Sequence, residues 1–158
     1  MSEPVDRSYI RVKAMLVALD DDLTRHAVSL NPPTDENPDG YHRLIGGSVE
    51  LGETHCDAIG REVDEELGAK ILDLTYLSSM ENIFRINGEL GHEIVFLYSG
   101  RLDPQPATAA ASLTESDGST VPVVWLALDE GDGTLPLYPA GVGPWVRLLA
   151  GHPAASET

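Results

Sequence analysis

Between Tyr9 and Leu19 polar and apolar residues alternate around β-formers. This predicts a strand with Ile10, Val12, Ala14, Leu16 and Ala18 on one face and Arg11 and Lys13 on the other. Asp20-Asp21-Asp22 reads as a solvated turn, because it lacks the spaced ligands, central glycine and closing glutamate of a calcium loop. Thr24 to Leu30 predicts a second strand, paired with the first as a hairpin. Residues 31–40, NPPTDENPDG, form a loop of turn residues that leads into a strand from Tyr41 to Ile45. Lys70 to Ser79, Glu81 to Asn87 and Gly91 to Arg101 predict three further strands, the last two around a turn at 87–91. Ile94 to Tyr98 is apolar on both faces and reads as a central, covered strand. Asp103 to Ser119 is small, polar and proline-containing, and predicts a mobile surface segment with one short helical turn in its alanine run. Val121 to Leu128 is expected as the final strand, Leu135 to Ala140 as a turn-rich link, and Val142 to Ala150 as a C-terminal helix. Residues 1–158 are expected to form one domain, with 1–7 and 151–158 as disordered tails.

The period changes to that of a helix from Thr54 to Gly68. Thr54 can cap the first turn, Asp57 suits the positive end of the helix dipole, and Gly68 can take the left-handed conformation that closes it. At about 100° per residue, Cys56, Ile59, Val63 and Leu67 fall on one stripe, expected to be buried. Glu62, Glu65 and Glu66 form a second stripe beside it. Before the helix, Gly46 to Glu53 holds three glycines, which predicts a tight bend that brings backbone groups close to a ligand.

Charge sharpens this picture. From Glu50 to Gly68 there are seven acids and only Arg61 is basic. Crowded carboxylates on one rigid element make an oxygen-rich surface suited to hard divalent cations, whose other positions go to water and substrate phosphates. The whole chain of 158 residues carries a formal net charge of −16, which argues against binding DNA or RNA as a polymer. No apolar run approaches the roughly 20 residues that cross a bilayer, so no membrane partner is expected. The single cysteine, Cys56, excludes an internal disulfide and fits a reducing cytoplasm. A homodimer is left open.

The residues Gly47, Glu53, Arg61-Glu62-Val63, Glu65-Glu66 and Gly68 stand at fixed intervals. This pattern resembles the Nudix box of the Nudix hydrolases. Its seven residues other than the aliphatic Val63, at about 1/15 each, would match by chance at roughly one start position in 10^8. The departure is Ala69, where the family usually has a larger aliphatic; Ile71 is expected to do that packing. The resemblance implies an α/β fold, an α/β/α sandwich with a mixed β-sheet flanked by helices. It also implies a pyrophosphohydrolase acting on a phosphoanhydride bond in a small phosphorylated substrate, a nucleoside diphosphate linked to another moiety. The alternative is a Nudix domain that senses a nucleotide without cleaving it.

On that resemblance, Glu62, Glu65, Glu66 and the carbonyl of Gly46 are expected to hold Mg2+ or Mn2+. Arg61 would orient Glu62, and Glu53 would brace the loop against the helix. The general base is expected to be Glu62 or Glu66, with Glu93 as an outside candidate. Arg43, Tyr41, Arg11 and Phe84 are the candidate substrate-binding residues, with Lys13 and Arg85 as further cations for phosphate and Trp145 as a further ring for a base. His26, His42, His55 and His152 follow no ligand spacing. Family members active on NADH carry a proline- and tryptophan-rich array downstream of the box, and many acting on ADP-ribose carry a proline about fifteen residues after it. No proline lies between Ala69 and Leu102, so neither marker is present.

Overall fold

The computed structural model describes residues 6–107, 111–115, 118–130 and 135–151. Strand β1 (Arg11–Leu19) runs through the middle of a mixed sheet. It pairs in parallel with β5 (Glu89–Asp103) on one side and antiparallel with β3 (Tyr41–Ser48) on the other. β4 (Lys70–Ile86) forms one edge beyond β5. On the other flank, β2 (Arg25–Asn31) pairs with β3 and with β7 (Thr120–Ala127), and β7 pairs with β6 (Ser112–Thr114). The short β8 (Leu137–Tyr138) adds to β3 in parallel.

The two faces of β1 serve two cores. Ala14, Leu16 and Ala18 pack with Ala58, Ile59 and Val63 of helix α1 (His55–Leu67). Met15, Val17 and Leu19 pack with Val142 and with Val146 of helix α2 (Gly143–Leu149). The result is the expected α/β/α sandwich. Each fully buried Ile or Val contributes roughly 1.5–3 kcal/mol, so α1 is held by its packing rather than by helix propensity. Its start is fixed by local chemistry. Thr54 Oγ1 accepts from the Asp57 N–H at 3.0 Å. The His55 ring stacks on Phe96 with centroids 3.9 Å apart, and its Nδ1 lies 2.5 Å from the Tyr98 hydroxyl. Gly68 closes the helix at φ 63°.

Several expectations are corrected. β1 and β2 share only two register pairs, because β3 inserts between them. Ile10 is 53% exposed and precedes the strand. Asp20 is buried rather than solvated, since its carboxylate accepts the N–H groups of Thr24 and Arg25 and pairs with the Arg25 side chain. The two strands expected at 70–79 and 81–87 are the single strand β4, which absorbs irregularities near Asp73 and Leu77 as bulges. Its turn is a two-residue hairpin in which Asn87 and Gly88 both have positive φ. Asp103–Ser119 contains β6, and Leu135–Ala140 contains β8. The helical turn expected in the alanine run falls largely on 108–110, outside the described residues. Residues 1–5 and 152–158, with His152, also lie outside them. Asp6 and Arg7, expected in the tail, are engaged, Arg7 pairing with Glu89 at 3.3 Å. Cys56, expected on the buried stripe, is exposed. Ala69 is buried against the first core with Ile71 partly buried beside it.

His26 on β2 is fully buried, and neither ring nitrogen has a hydrogen-bond partner. Burial, aided by nearby His42, lowers its pKa from 6.5 to about 4. The neutral ring is therefore the folded form, and stability is lost as pH falls below the unfolded value of 6.5 towards 4. The expected loss between pH 7 and pH 4 from this group is about 3 kcal/mol. Urea unfolding of the parent and of His26→Leu at both pH values checks it, the variant being expected to lose less by that amount.

Candidate active site

The three glutamates of α1 do not share one line. Glu62 and Glu66 turn inward to β3, whereas the Glu65 side chain is 59% exposed. The inward pair fits because β3 presents glycine there. A Cβ on Gly47 would stand 2.3 Å from the Glu62 carboxyl group, and one on Gly46 would stand 2.1 Å from the Ala14 carbonyl oxygen. Gly46 also has φ 148°, a conformation other residues rarely adopt. These two glycines lie in a strand, not in the bend expected from their spacing; the bend is Val49–Thr54.

Arg61 joins the bend to the helix. Its Nε and Nη2 donate to the two Glu53 oxygens at 2.7 and 2.9 Å. Nη2 also donates to the Ser48 carbonyl at 2.9 Å, and Nη1 to Glu62 at 3.0 Å and Glu65 at 3.2 Å. Glu53 in turn accepts the Glu50 N–H at 3.1 Å. Bidentate pairing with Arg61 holds the Glu53 pKa down to about 2. The same pairing raises that of Arg61. These contacts tie the bend to the helix through Glu53 and place Arg61 against Glu62.

Glu66 is the outlier. Burial, reinforced by the charge of Glu115, pushes its pKa up to about 8, while Arg43 and the Gly46 N–H act the other way. Its Oε1 is buried with no hydrogen-bond partner. Burial likewise raises Glu62, against the pull of Arg61. Glu115, next to β6, brings a fourth carboxylate to the site. It lies 49 positions beyond Glu66 in a segment of small polar residues, and no local signal marks it.

Beside the glutamates a cavity of about 430 Å³ opens, lined by Arg11, Lys13, Tyr41, Arg43, Phe84 and Glu115 among others. All four expected substrate residues therefore lie together. Lys13 Nζ donates to Ser48 Oγ at 2.9 Å, and burial, with Arg43 next, lowers its pKa to about 8. Arg11 is committed to Glu93, at 3.0 Å. Glu93 is buried with both oxygens engaged, one by Arg11 and one by Asn82, so it stands apart from the glutamates of α1 as a base candidate. Arg85 donates to the Gly88 carbonyl at the cavity's outer edge. Trp145 packs in the second core.

Among the described residues, no group of three or more His, Cys, Asp or Glu side chains already stands in a metal-ligating arrangement. The donor set nonetheless suits a hard cation: three carboxylates, one of them with a buried, unpartnered oxygen, within one and a half turns of helix. Arg61 engages one oxygen each of Glu62 and Glu65, which leaves the other oxygen of each for an ion.

A sandwich with this acidic helix and its arginine brace defines a Nudix protein. The profile of the NUDIX domain matches residues 10–149, and the chain belongs to that family. Over 40 residues it is 48% identical to the NAD-capped RNA hydrolase NudC of Salmonella agona and to that of Escherichia coli, a stretch covering 25% of this chain and 16% of each relative. Its fold is similar to that of the MutT Nudix hydrolase of Burkholderia pseudomallei, at TM-score 0.60 and 24% identity over 90% of this chain and 96% of the other. The MutT protein of Bacillus halodurans aligns at TM-score 0.60 and 17% identity, over 92% and 84% of the two chains.

Gly47→Ala tests the close approach of α1 to β3. The clash falls on the end of a flexible side chain, so the thermal midpoint is expected to stay within about 4 °C of the parent. Displacing Glu62 is expected to weaken Mg2+ or Mn2+ binding by about tenfold or more. Calorimetric titration with each ion checks this.

Proposed function

We propose that this chain is a divalent-metal-dependent pyrophosphohydrolase that cleaves a nucleoside diphosphate linked to another group. The observation that carries this reading is the buried Glu66 carboxylate, with an unpartnered oxygen beside Glu62, backed by the Arg61–Glu53 brace. A carboxylate held this way is poorly stabilised by the protein alone and is completed by a cation.

In this reading Glu62, Glu65, Glu66 and the Gly46 carbonyl hold Mg2+ or Mn2+, which when bound supplies charge neutralisation for the diphosphate and activation of water. Arg61 sets the direction of Glu62. Glu53 keeps Arg61 in place, and through the Glu50 N–H it keeps the bend closed. Arg43 and Lys13 take phosphate oxygens from the cavity side. Glu62 or Glu66 accepts the proton of the attacking water. Water adds to one phosphorus, the bridging P–O bond breaks, and a nucleoside monophosphate leaves along with the phosphorylated remainder. Tyr41 and Phe84 flank the nucleoside. Arg11 acts through Glu93 rather than on phosphate. One catalytic unit accounts for the whole chain, and the free thiol of Cys56 suits a reducing cytoplasm. The NAD cap named for the NudC relatives contains a bond of this class, while the net charge of −16 speaks against the RNA that carries it.

A screen over nucleoside triphosphates, nucleotide sugars and dinucleotides with Mg2+, reading release of the nucleoside monophosphate, tests the activity. Glu66→Gln is expected to lower kcat by about 100-fold or more while keeping a cooperative thermal transition. Equal release by parent and variant would remove Glu66 from the mechanism. Tight nucleotide binding by the parent without any release would identify the sensing domain instead.

A further inference from the structure

The floor of a smaller recess, which shares Tyr41, Arg43, Phe84 and Glu93 with the cavity beside the glutamates, carries a polar group that bond cleavage does not use. Asn82 of β4 stands opposite Glu93 of β5 in the sheet register and is 5% exposed. Its Nδ2 donates to Glu93 Oε1 at 3.3 Å, while its Oδ1 is buried with no hydrogen-bond partner. The amide orientation follows from chemistry, since a flipped side chain would set one oxygen against another. Glu93 is in turn pinned by Arg11 at 3.0 Å. The free acceptor is thus fixed in direction, and a buried acceptor left unmet is unfavourable until something donates to it.

Aromatic rings stand around this floor. Phe84 and Tyr41 line this recess together with Asn82 and Glu93. The Phe84 ring lies across Gly91, where a Cβ would stand 2.3 Å from it. Tyr41 is held edge-on by Tyr138, centroids 5.4 Å apart. The larger cavity shares Tyr41, Arg43 and Phe84 with this recess and is also lined by Lys13 and Ser48. A flat heterocycle between the rings would leave its phosphates pointing at those cations.

We propose that Asn82 is a specificity-determining residue whose Oδ1 accepts a hydrogen bond from the exocyclic amino group of a nucleobase. An amino group has two N–H donors on one atom and can serve both Asn82 Oδ1 and the adjoining carboxylate. An oxo base turns a carbonyl oxygen to the same place, and its single ring N–H cannot serve both. The chain therefore selects an amino-bearing base over its oxo counterpart. This rests on the reading of the site as one that hydrolyses nucleotides.

The test is kcat/KM with Mg2+ for ATP against ITP, CTP against UTP and GTP against XTP. At least one amino-bearing member is expected to exceed its counterpart by about tenfold or more. Asn82→Leu is expected to bring that ratio below about threefold, through loss on the amino-bearing member. A variant that lowers both members alike, leaving the ratio standing, would assign Asn82 a structural role and overturn the proposal. So would a parental ratio below about threefold in every pair, whether or not the variant folds. If the parent hydrolyses none of the six nucleotides and no nucleotide sugar or dinucleotide either, the hydrolase reading fails first. Calorimetric dissociation constants for ADP, CDP and GDP against IDP, UDP and XDP then decide the base preference by the same thresholds.

Discussion

The site depends on a close approach between a helix and a strand with no side chain between them. α1 brings Glu62 and Glu66 against β3 where that strand has Gly46 and Gly47. One methyl group at either position would occupy space now filled by the Ala14 backbone or by the Glu62 carboxyl group. The approach is unfavourable for charge, because it takes two carboxylates out of water and raises both pKa values. The sandwich sustains it because Ala58, Ile59 and Val63, on the same helix, are fully buried against β1. Apolar burial thus holds in place a pair of acids that would otherwise move apart.

Arg61 keeps the remaining repulsion in check. A single guanidinium reaches Glu53, Glu62, Glu65 and the Ser48 carbonyl, with Glu50 at 3.8 Å. Exposed ion pairs of this kind are individually worth about 0–1 kcal/mol, so the network matters more for position than for stability. The fork of Arg61 meets the two oxygens of Glu53 and so fixes the bend and the helix as one body. Glu66 stands outside that network, on the side facing the cavity. It is the acid whose charge the protein leaves least compensated.

Across the cavity the charges reverse. Lys13 and Arg43 face the glutamates from β1 and β3, and burial of Lys13 lowers its pKa towards neutrality. Deeper in, Arg11 is spent on Glu93, and Glu93 on Asn82. The cleft therefore has an acidic wall, a cationic stretch and a neutral polar floor flanked by rings. That order matches the parts of a nucleotide with its bound cation.

The helix, its Thr54 cap, its Gly68 stop and the Glu62–Glu66 spacing were legible in the chain, because each depends on neighbours within a few residues. The Nudix pattern pointed to Arg61 beside Glu62 and to Glu53 as a link between bend and helix, while their bidentate pairing with each other emerged only in the fold. The cluster of Arg43, Tyr41, Arg11 and Phe84 was legible only as a set of suitable residue types. Tertiary structure alone decided that Gly46 and Gly47 belong to a strand, that β3 separates β1 from β2, and that Cys56 is exposed. It also brought Glu115 to Glu66 across 49 positions and set Asn82 against Glu93 across a hairpin. The division has one physical cause. Helix periodicity and capping are short-range, whereas strand order and cavity lining follow from pairings whose loop-closure cost leaves no mark in any local stretch of residues.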